Sequence, residues 1–98
     1  MEHTSFFVVF SLELTEGDFS EELVARFEEL GLRSKIDAEG TILHMPRYSF
    51  IGEYSFTNAE DLKNGLYSEI KVICEEMEVS AVIFIAVSEF ATIGIDHI

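Results

Sequence analysis

Residues 5–14 read SFFVVFSLEL, and this stretch decides the fold. Residues 6–10 are apolar at every position and rich in aromatic and β-branched side chains, which is typical of a strand covered on both faces. The apolar run is much shorter than the roughly 20 residues that cross a bilayer. Glu2 also stands where a secretory signal would carry Lys or Arg. We therefore expect a central β-strand, with the rest of the chain folded around it.

A first helix is expected directly after this strand, over residues 18–30. Asp18 followed three residues later by Glu21 forms a capping signature. The apolar residues then recur at helical spacing: Phe19, Leu23, Phe27 and Leu30. Gly31 stands where a left-handed C-terminal cap is needed, so the helix is predicted to end there.

A second helix, three further strands and one extended segment of open assignment complete the predicted fold. Asn58 is a good helix cap, and the apolar stripe that follows it is Leu62, Leu66, Ile70, Ile73 and Met77. Residues 33–36 and 41–45 flank a turn and predict a hairpin, which Pro46 ends because it has no N–H to donate. Residues 48–56 either extend the hairpin's second strand or form a separate arm, and residues 79–87 predict a buried last strand.

This order of elements predicts one α+β domain spanning residues 1–98. The expected architecture is a β-α-β-β-α-β sandwich, in which a four-stranded antiparallel sheet carries both helices on one face. The chain contains a single cysteine, Cys74, which excludes an intrachain disulfide and fits a cytoplasmic protein. It contains no phosphate loop, dinucleotide fingerprint or Cys-x-x-Cys pair, so neither a cofactor nor a metal is expected.

The charge balance bears on the class of partner. Nineteen acidic residues stand against six Lys and Arg, a formal net charge of −13. A domain this acidic repels polyanions at long range, which argues against direct binding to DNA, RNA or an anionic membrane. A basic protein surface is the favoured partner.

The acidic residues are also organised along the chain. Between residues 13 and 29 there are seven acids and one base, Arg26, and more acids follow at the end of the second helix. If both helices share one face of the sheet, these carboxylates form one docking face for a cationic groove. The alternative is a surface that only keeps the protein soluble. The predicted partner-binding residues are Glu13, Glu16, Asp18, Glu21, Glu22, Glu28, Glu29, Glu75, Glu76 and Glu78.

Two other kinds of chemistry are weaker candidates. His44, Arg47 and Tyr48 offer an acid, a base and an anion clamp for a metal-free ribonuclease, although a lone strand histidine is more often structural. Residues 47–54, RYSFIGEY, are superficially similar to the longer signature of the RNA recognition motif, whose aromatics stack bases. Packing of these aromatics in the core or in an arm is the simpler interpretation. Cys74 lies at the edge of the second apolar stripe and is interpreted as a small core residue.

Several short motifs resemble a known family. They are residues 31–36, GLRSKI, the Gly40-Thr41 turn, the Met45-Pro46 pair and the closing segment 82–89, VIFIAVSE. Together they are similar to the small phage and bacterial proteins grouped with the GhoS antitoxin. The resemblance implies a ferredoxin-like fold and, as in GhoS, an endoribonuclease activity on RNA. It assigns no catalytic role to any residue of this chain.

The leading hypothesis is a small, non-enzymatic acidic protein of the phage or mobile-element type. It would inhibit a basic, nucleic-acid-handling partner by nucleic-acid mimicry, as anti-CRISPR and other anti-defence proteins do. A GhoS-like antitoxin ribonuclease is the alternative. A homodimer formed through the last strand and the C-terminal tail is a further expectation, because that strand leaves a long apolar edge.

Overall fold

The computed structural model describes residues 3–38, 40–90 and 95, within which there are two helices and five strands. In chain order the elements are β1 (Thr4–Glu16), α1 (Glu21–Glu29), β2 (Lys35–Ala38), β3 (Thr41–His44), β4 (Ser49–Phe56), α2 (Ala59–Glu76) and β5 (Ser80–Ser88). The predicted α+β class with two helices is confirmed. The C-terminal tail, to which part of the expected dimer contact was assigned, lies mostly outside the described residues.

The described strands form two sheets instead of the single four-stranded sheet that was expected. β1 lies in the middle of a three-stranded antiparallel sheet of order β4-β1-β5, while β2 and β3 form a separate hairpin. Arg33 and Ile51 make an isolated antiparallel bridge, with two backbone hydrogen bonds of 2.7 and 2.8 Å, just before β2 diverges from β4. The chain leaves β3 through a tight turn closed by Ser49 N–H and Pro46 C=O, at 3.0 Å. This turn separates the hairpin from β4, so residues 49–56 are a strand of their own.

The core lies between the three-stranded sheet and the helices. Side chains at even positions of β1 face the helices, and Phe6, Val8, Phe10 and Leu12 are all at most 5% exposed. Phe10 packs edge-on against Phe27 of α1, with ring centroids 5.1 Å apart, and stacks on Phe50 of β4 at 5.6 Å. Leu62, Leu66, Ile70 and Ile73 of α2 complete the same cluster, as their spacing predicted.

Local signals at the helix ends explain where the helices begin and stop. The N-cap of α1 is Ser20, whose hydroxyl accepts from Leu23 N–H at 3.1 Å, so the expectation that the helix starts at Asp18 is wrong. Gly31 has φ of +93° and ends α1 as predicted, with Leu32 N–H donating back to Phe27 C=O at 3.1 Å. Asn58 caps α2 by accepting from Asp61 N–H at 2.8 Å.

Candidate functional site

The two helices lie side by side on one face of the three-stranded sheet. Both contribute to the single core cluster beneath them. They are also joined at the surface, where Arg26 of α1 donates to Glu76 of α2 at 2.9 Å. The exposed sides of α1 and α2 therefore form one continuous surface.

The carboxylates of α1 point outward from this surface. Leu23 and Phe27 are fully buried. The remaining sides of the helix consequently carry exposed acids, which are Glu21, Glu22, Glu28 and Glu29. Asp and Glu in a first helical turn interact favourably with the helix dipole, but Glu28 and Glu29 in the last turn are placed against it.

The end of α2 meets the loop that leads into α1. A Cβ on Gly17 would lie 2.7 Å from a methyl of Val79 and 3.1 Å from Glu78 C=O, so these two chain segments are in close contact. Gly17 has φ of +90° and stands between Glu16 and Asp18, which are both exposed. The contact brings these two acids to the end of α2, which carries the exposed Glu75, Glu76 and Glu78.

We define the acidic helical face as the exposed carboxylates that these contacts bring to one side of the molecule. Its members are Glu16, Asp18, Glu21, Glu22, Glu28, Glu29, Glu75, Glu76 and Glu78. Glu13 was expected to belong to this set but does not lie with it. It is opposite Val82 in the β1–β5 register, at an odd position of β1 that points away from the helices.

Arg26 is the one base among the described residues that makes a salt bridge with the acidic helical face. The hydrogen bond to Glu76 raises the pKa of Arg26, burial lowers it, and the negative charges of Glu76, Glu29 and Glu22 raise it further. Arg26 therefore neutralises part of the charge where the helices meet.

The remaining cations are divided between the hairpin region and α2. Arg33 and Lys35 line a cleft of about 360 Å³ between the hairpin and β4, with Phe7 and Ile51 also in its wall. Lys63 and Lys71 are exposed on α2. Among the described residues, none of these four makes a salt bridge. The carboxylates at the ends of α1 and α2 therefore outnumber the cations of these helices, which are Arg26, Lys63 and Lys71.

The residues of the ribonuclease hypothesis come together in a smaller cavity. His44, Arg47 and Tyr48 all line a space of about 170 Å³ next to the start of α1, which Phe19 also borders. Tyr48 has φ of +66°, a left-handed conformation that is rare for a residue with a side chain. Its ring packs edge-on against Phe19 at 4.4 Å, and the Arg47 guanidinium lies 4.8 Å from the ring centroid.

The aromatics of residues 47–54 do not form a base-stacking platform on the sheet. Phe50 is 1% exposed and belongs to the core cluster beneath the helices. Tyr54 is half-buried on the same side, and its hydroxyl donates to Leu30 C=O at 2.7 Å. On the opposite face of β4 lie Ile51 and Glu53. Neither is aromatic, so neither can stack a base as the aromatic side chains of an RNA recognition motif do. Core packing explains these aromatics.

Cys74 belongs to the core as predicted. It is 7% exposed, and burial raises the pKa of its thiol. Within the described part of the chain, no three His, Cys, Asp or Glu side chains are grouped so as to hold a metal ion. Neither of the described helices is long and apolar enough to cross a membrane.

Comparison of the chain with protein-family models, with curated proteins and with solved structures found no match. The resemblance to the GhoS group therefore stays a prediction. Two features of the candidate site could not be read from the sequence: the ion pair from Arg26 to Glu76 and the positive φ of Tyr48. The first joins residues 50 positions apart, and the second occurs at a residue type that gives no signal for it.

Proposed function

We propose that this protein is a non-enzymatic acidic binding protein that docks through the acidic helical face onto a basic protein surface. The observation that carries the proposal is the placement of both helices on one side of the sheet, joined by Arg26 and Glu76. Their carboxylates act on a cationic groove as one negative field, which accelerates encounter and orients the partner. Such a groove is typical of proteins whose own ligand is nucleic acid.

The biological class we propose is a cytoplasmic inhibitor encoded by a phage or mobile element, of the anti-CRISPR or anti-defence kind. Small size and high negative charge support nucleic-acid mimicry, because a mimic needs a rigid array of anions and little else. We further propose that the fold is a ferredoxin-like variant, in which the fourth strand is reduced to the Arg33–Ile51 bridge and the hairpin turns away. The antiparallel order β4-β1-β5 supports this interpretation.

The test is neutralisation of the α1 carboxylates without loss of the fold. A variant with Glu21, Glu22, Glu28 and Glu29 all changed to Gln should lose partner capture from the native host and show a weaker dependence of affinity on salt. A matched control removes four charges elsewhere, by Glu13→Gln, Asp37→Asn, Glu53→Gln and Glu89→Gln. Equal binding by wild type and both variants, with unchanged circular dichroism, would reject the acidic helical face as the docking site.

The second candidate is a GhoS-like antitoxin ribonuclease, and the shared cavity of His44, Arg47 and Tyr48 favours it. A histidine and an arginine around one cavity can supply proton transfer and phosphate binding. Purified protein should then cleave RNA, and His44→Ala or Arg47→Ala should abolish cleavage while His3→Ala and Lys63→Ala leave it unchanged. Absence of cleavage, with and without divalent metal, would reject the enzyme.

A further inference from the structure

Within residues 3–38 and 40–90, nothing covers the outer backbone edge of β5 as a further strand would. β5 is the last strand of the three-stranded sheet, and among the described residues no strand pairs with its outer side. Natural edge strands are usually shielded by a charge, a proline or a bulge. The nine residues of β5, SAVIFIAVS, contain neither a charged residue nor a proline. Val82 and Phe84 are also 64% and 61% exposed on the sheet face away from the helices.

The ladder shows which backbone groups of β5 point outward. Ile51 exchanges backbone hydrogen bonds with Arg33, so its N–H and C=O point away from β1. Val9 lies opposite Ile51 in β1, and the two therefore form a non-hydrogen-bonded pair. The N–H and C=O of Val9 consequently point toward β5. Val9 lies opposite Ala86, and hydrogen-bonding direction alternates along a strand. The β5 residues with N–H and C=O pointing away from β1 are therefore Ala81, Ile83, Ile85 and Val87.

The sequence of β5 is self-complementary about Phe84. Ile83 and Ile85 flank the centre, while Val82 mirrors Ala86, Ala81 mirrors Val87 and Ser80 mirrors Ser88. An antiparallel partner strand with this same sequence would place Ile opposite Ile and a small residue opposite each valine. It would pair all nine positions and form about eight backbone hydrogen bonds.

We propose that β5 pairs with β5 of a second copy across a two-fold axis at Phe84, which joins the two sheets into one of six strands. The two Phe84 side chains meet across the axis as a non-hydrogen-bonded pair, with Cβ atoms about 4.5–5.5 Å apart. Both copies keep their helices on the same side of the joined sheet. The dimer therefore presents two acidic helical faces side by side, and these adjoin the contact only at Glu78.

A second copy fits better than an unrelated strand because β5 is self-complementary about Phe84, and its nine residues bring no charge into the contact. The net charge of −13 would oppose most other ways of bringing two copies together. Glu78 and Glu89 lie just beyond the two ends of β5. Because the paired strands are antiparallel, Glu78 of each copy lies near Glu89 of the other copy, and these two carboxylates repel each other. Added salt screens this repulsion and should tighten the dimer, whereas it should weaken docking of the acidic helical face on a basic partner.

The first test is sedimentation equilibrium of the full chain over concentrations from about 1 μM to 1 mM. Wild type should dimerise, and Phe84→Lys should raise the dissociation constant about tenfold or more, because it removes an aromatic pair and sets two ammonium groups face to face. Phe90→Lys is the matched control, since Phe90 is 87% exposed just outside β5, and it should leave the dimer intact. A monomeric wild type, or a dimer unaffected by Phe84→Lys, would overturn the proposal.

The second test reports the register and does not depend on the Lys variant. In a Cys74→Ala background, Phe84→Cys should oxidise to a disulfide-linked dimer, because residue 84 faces its own copy across the axis. Val82→Cys should not, since residue 82 lies about 13 Å along the strand from its counterpart. Equal cross-linking of both variants would rule out this register. Binding to a basic partner can fail while both tests succeed, so this proposal and the proposed function are tested separately.

Discussion

The Nη2 atom of Arg26 lies 2.9 Å from the Oε1 atom of Glu76, and this ion pair joins the two acidic helices across their shared surface. Their side chains are 31% and 54% exposed, so solvent screens the interaction. The pair leaves Glu22 and Glu29 near the same guanidinium with their charges only partly compensated. It relieves repulsion between the helices and keeps their combined surface negative.

The Arg26 pair should contribute to stability only at low salt. Arg26→Gln should lower the midpoint of urea unfolding slightly in dilute buffer, and the difference should vanish at about 1 M salt, where the Debye length is about 3 Å. Lys63→Gln removes the same charge from a residue with no salt bridge among the described residues and should have a smaller effect. An Arg26→Gln deficit that persists at high salt would show that the side chain acts through packing.

The three-phenylalanine contact should be a major source of folding energy. Phe27→Ala should lower the free energy of unfolding by about 3–5 kcal/mol, because Phe27 is fully buried between Phe10 and Phe50. That is a large part of the total for a small domain. Phe90→Ala, at an exposed position, should change it by less than about 0.5 kcal/mol. Chemical denaturation measures both, and a small effect of Phe27→Ala would contradict the described core.

Two glycine-to-alanine substitutions should change the stability of the protein in opposite directions. Gly31→Ala should destabilise the protein by about 1 kcal/mol or more, because φ is +93° and the new Cβ would lie 3.2 Å from the Tyr54 hydroxyl. Gly65→Ala should stabilise it by about 0.5–1 kcal/mol, since Gly65 lies inside α2 with nothing within 4 Å of the added methyl. Thermal unfolding of both variants checks the pair, and equal signs would contradict the assigned conformations.

Tyr54 should make stability depend on pH in the alkaline range. Burial raises the pKa of Tyr54 to about 12 from an ordinary value of 10.0, so folding favours the neutral phenol. This contribution is fully present below pH 10 and is lost as the pH rises toward 12. Tyr54→Phe should cost about 1 kcal/mol at neutral pH, through the lost bond to Leu30 C=O, and should flatten the alkaline decline. Tyr67→Phe, at an exposed tyrosine, should preserve the decline.

Much of the local structure was predictable because its causes are local. Gly31 and Asn58 end and begin helices through backbone geometry and a single side-chain hydrogen bond, which neighbouring residues supply. The start of α1 was misplaced because Asp18 and Ser20 are both good caps, and the structure shows that Ser20 is the one that accepts from a backbone N–H of the first turn, that of Leu23. The course of residues 48–56 stayed open, since alternation alone does not name the partner strand.

The candidate site likewise combines features that local sequence predicts with features that depend on tertiary contacts. Exposure of the α1 carboxylates follows from helical spacing, because Leu23 and Phe27 occupy the buried side. The position of Glu13 on the opposite face of the sheet depends instead on the register of β1. The meeting of Glu16 and Asp18 with the end of α2 depends on a contact between Gly17 and Val79, which are far apart in the chain.

Residue order and spacing alone were enough to establish the two amphipathic helices, the central strand, the caps at Gly31 and Asn58 and the excess of negative charge, since each arises from the composition or from interactions within a few positions of the chain. The division into two sheets, the pairing of β4 with β1, the free edge of β5 and the convergence of carboxylates from both helices required the folded structure. These features depend on which distant segments pack together to bury their apolar surfaces. The periodicity of the sequence shows that one face of an element is buried, but it does not show which other element packs against that face.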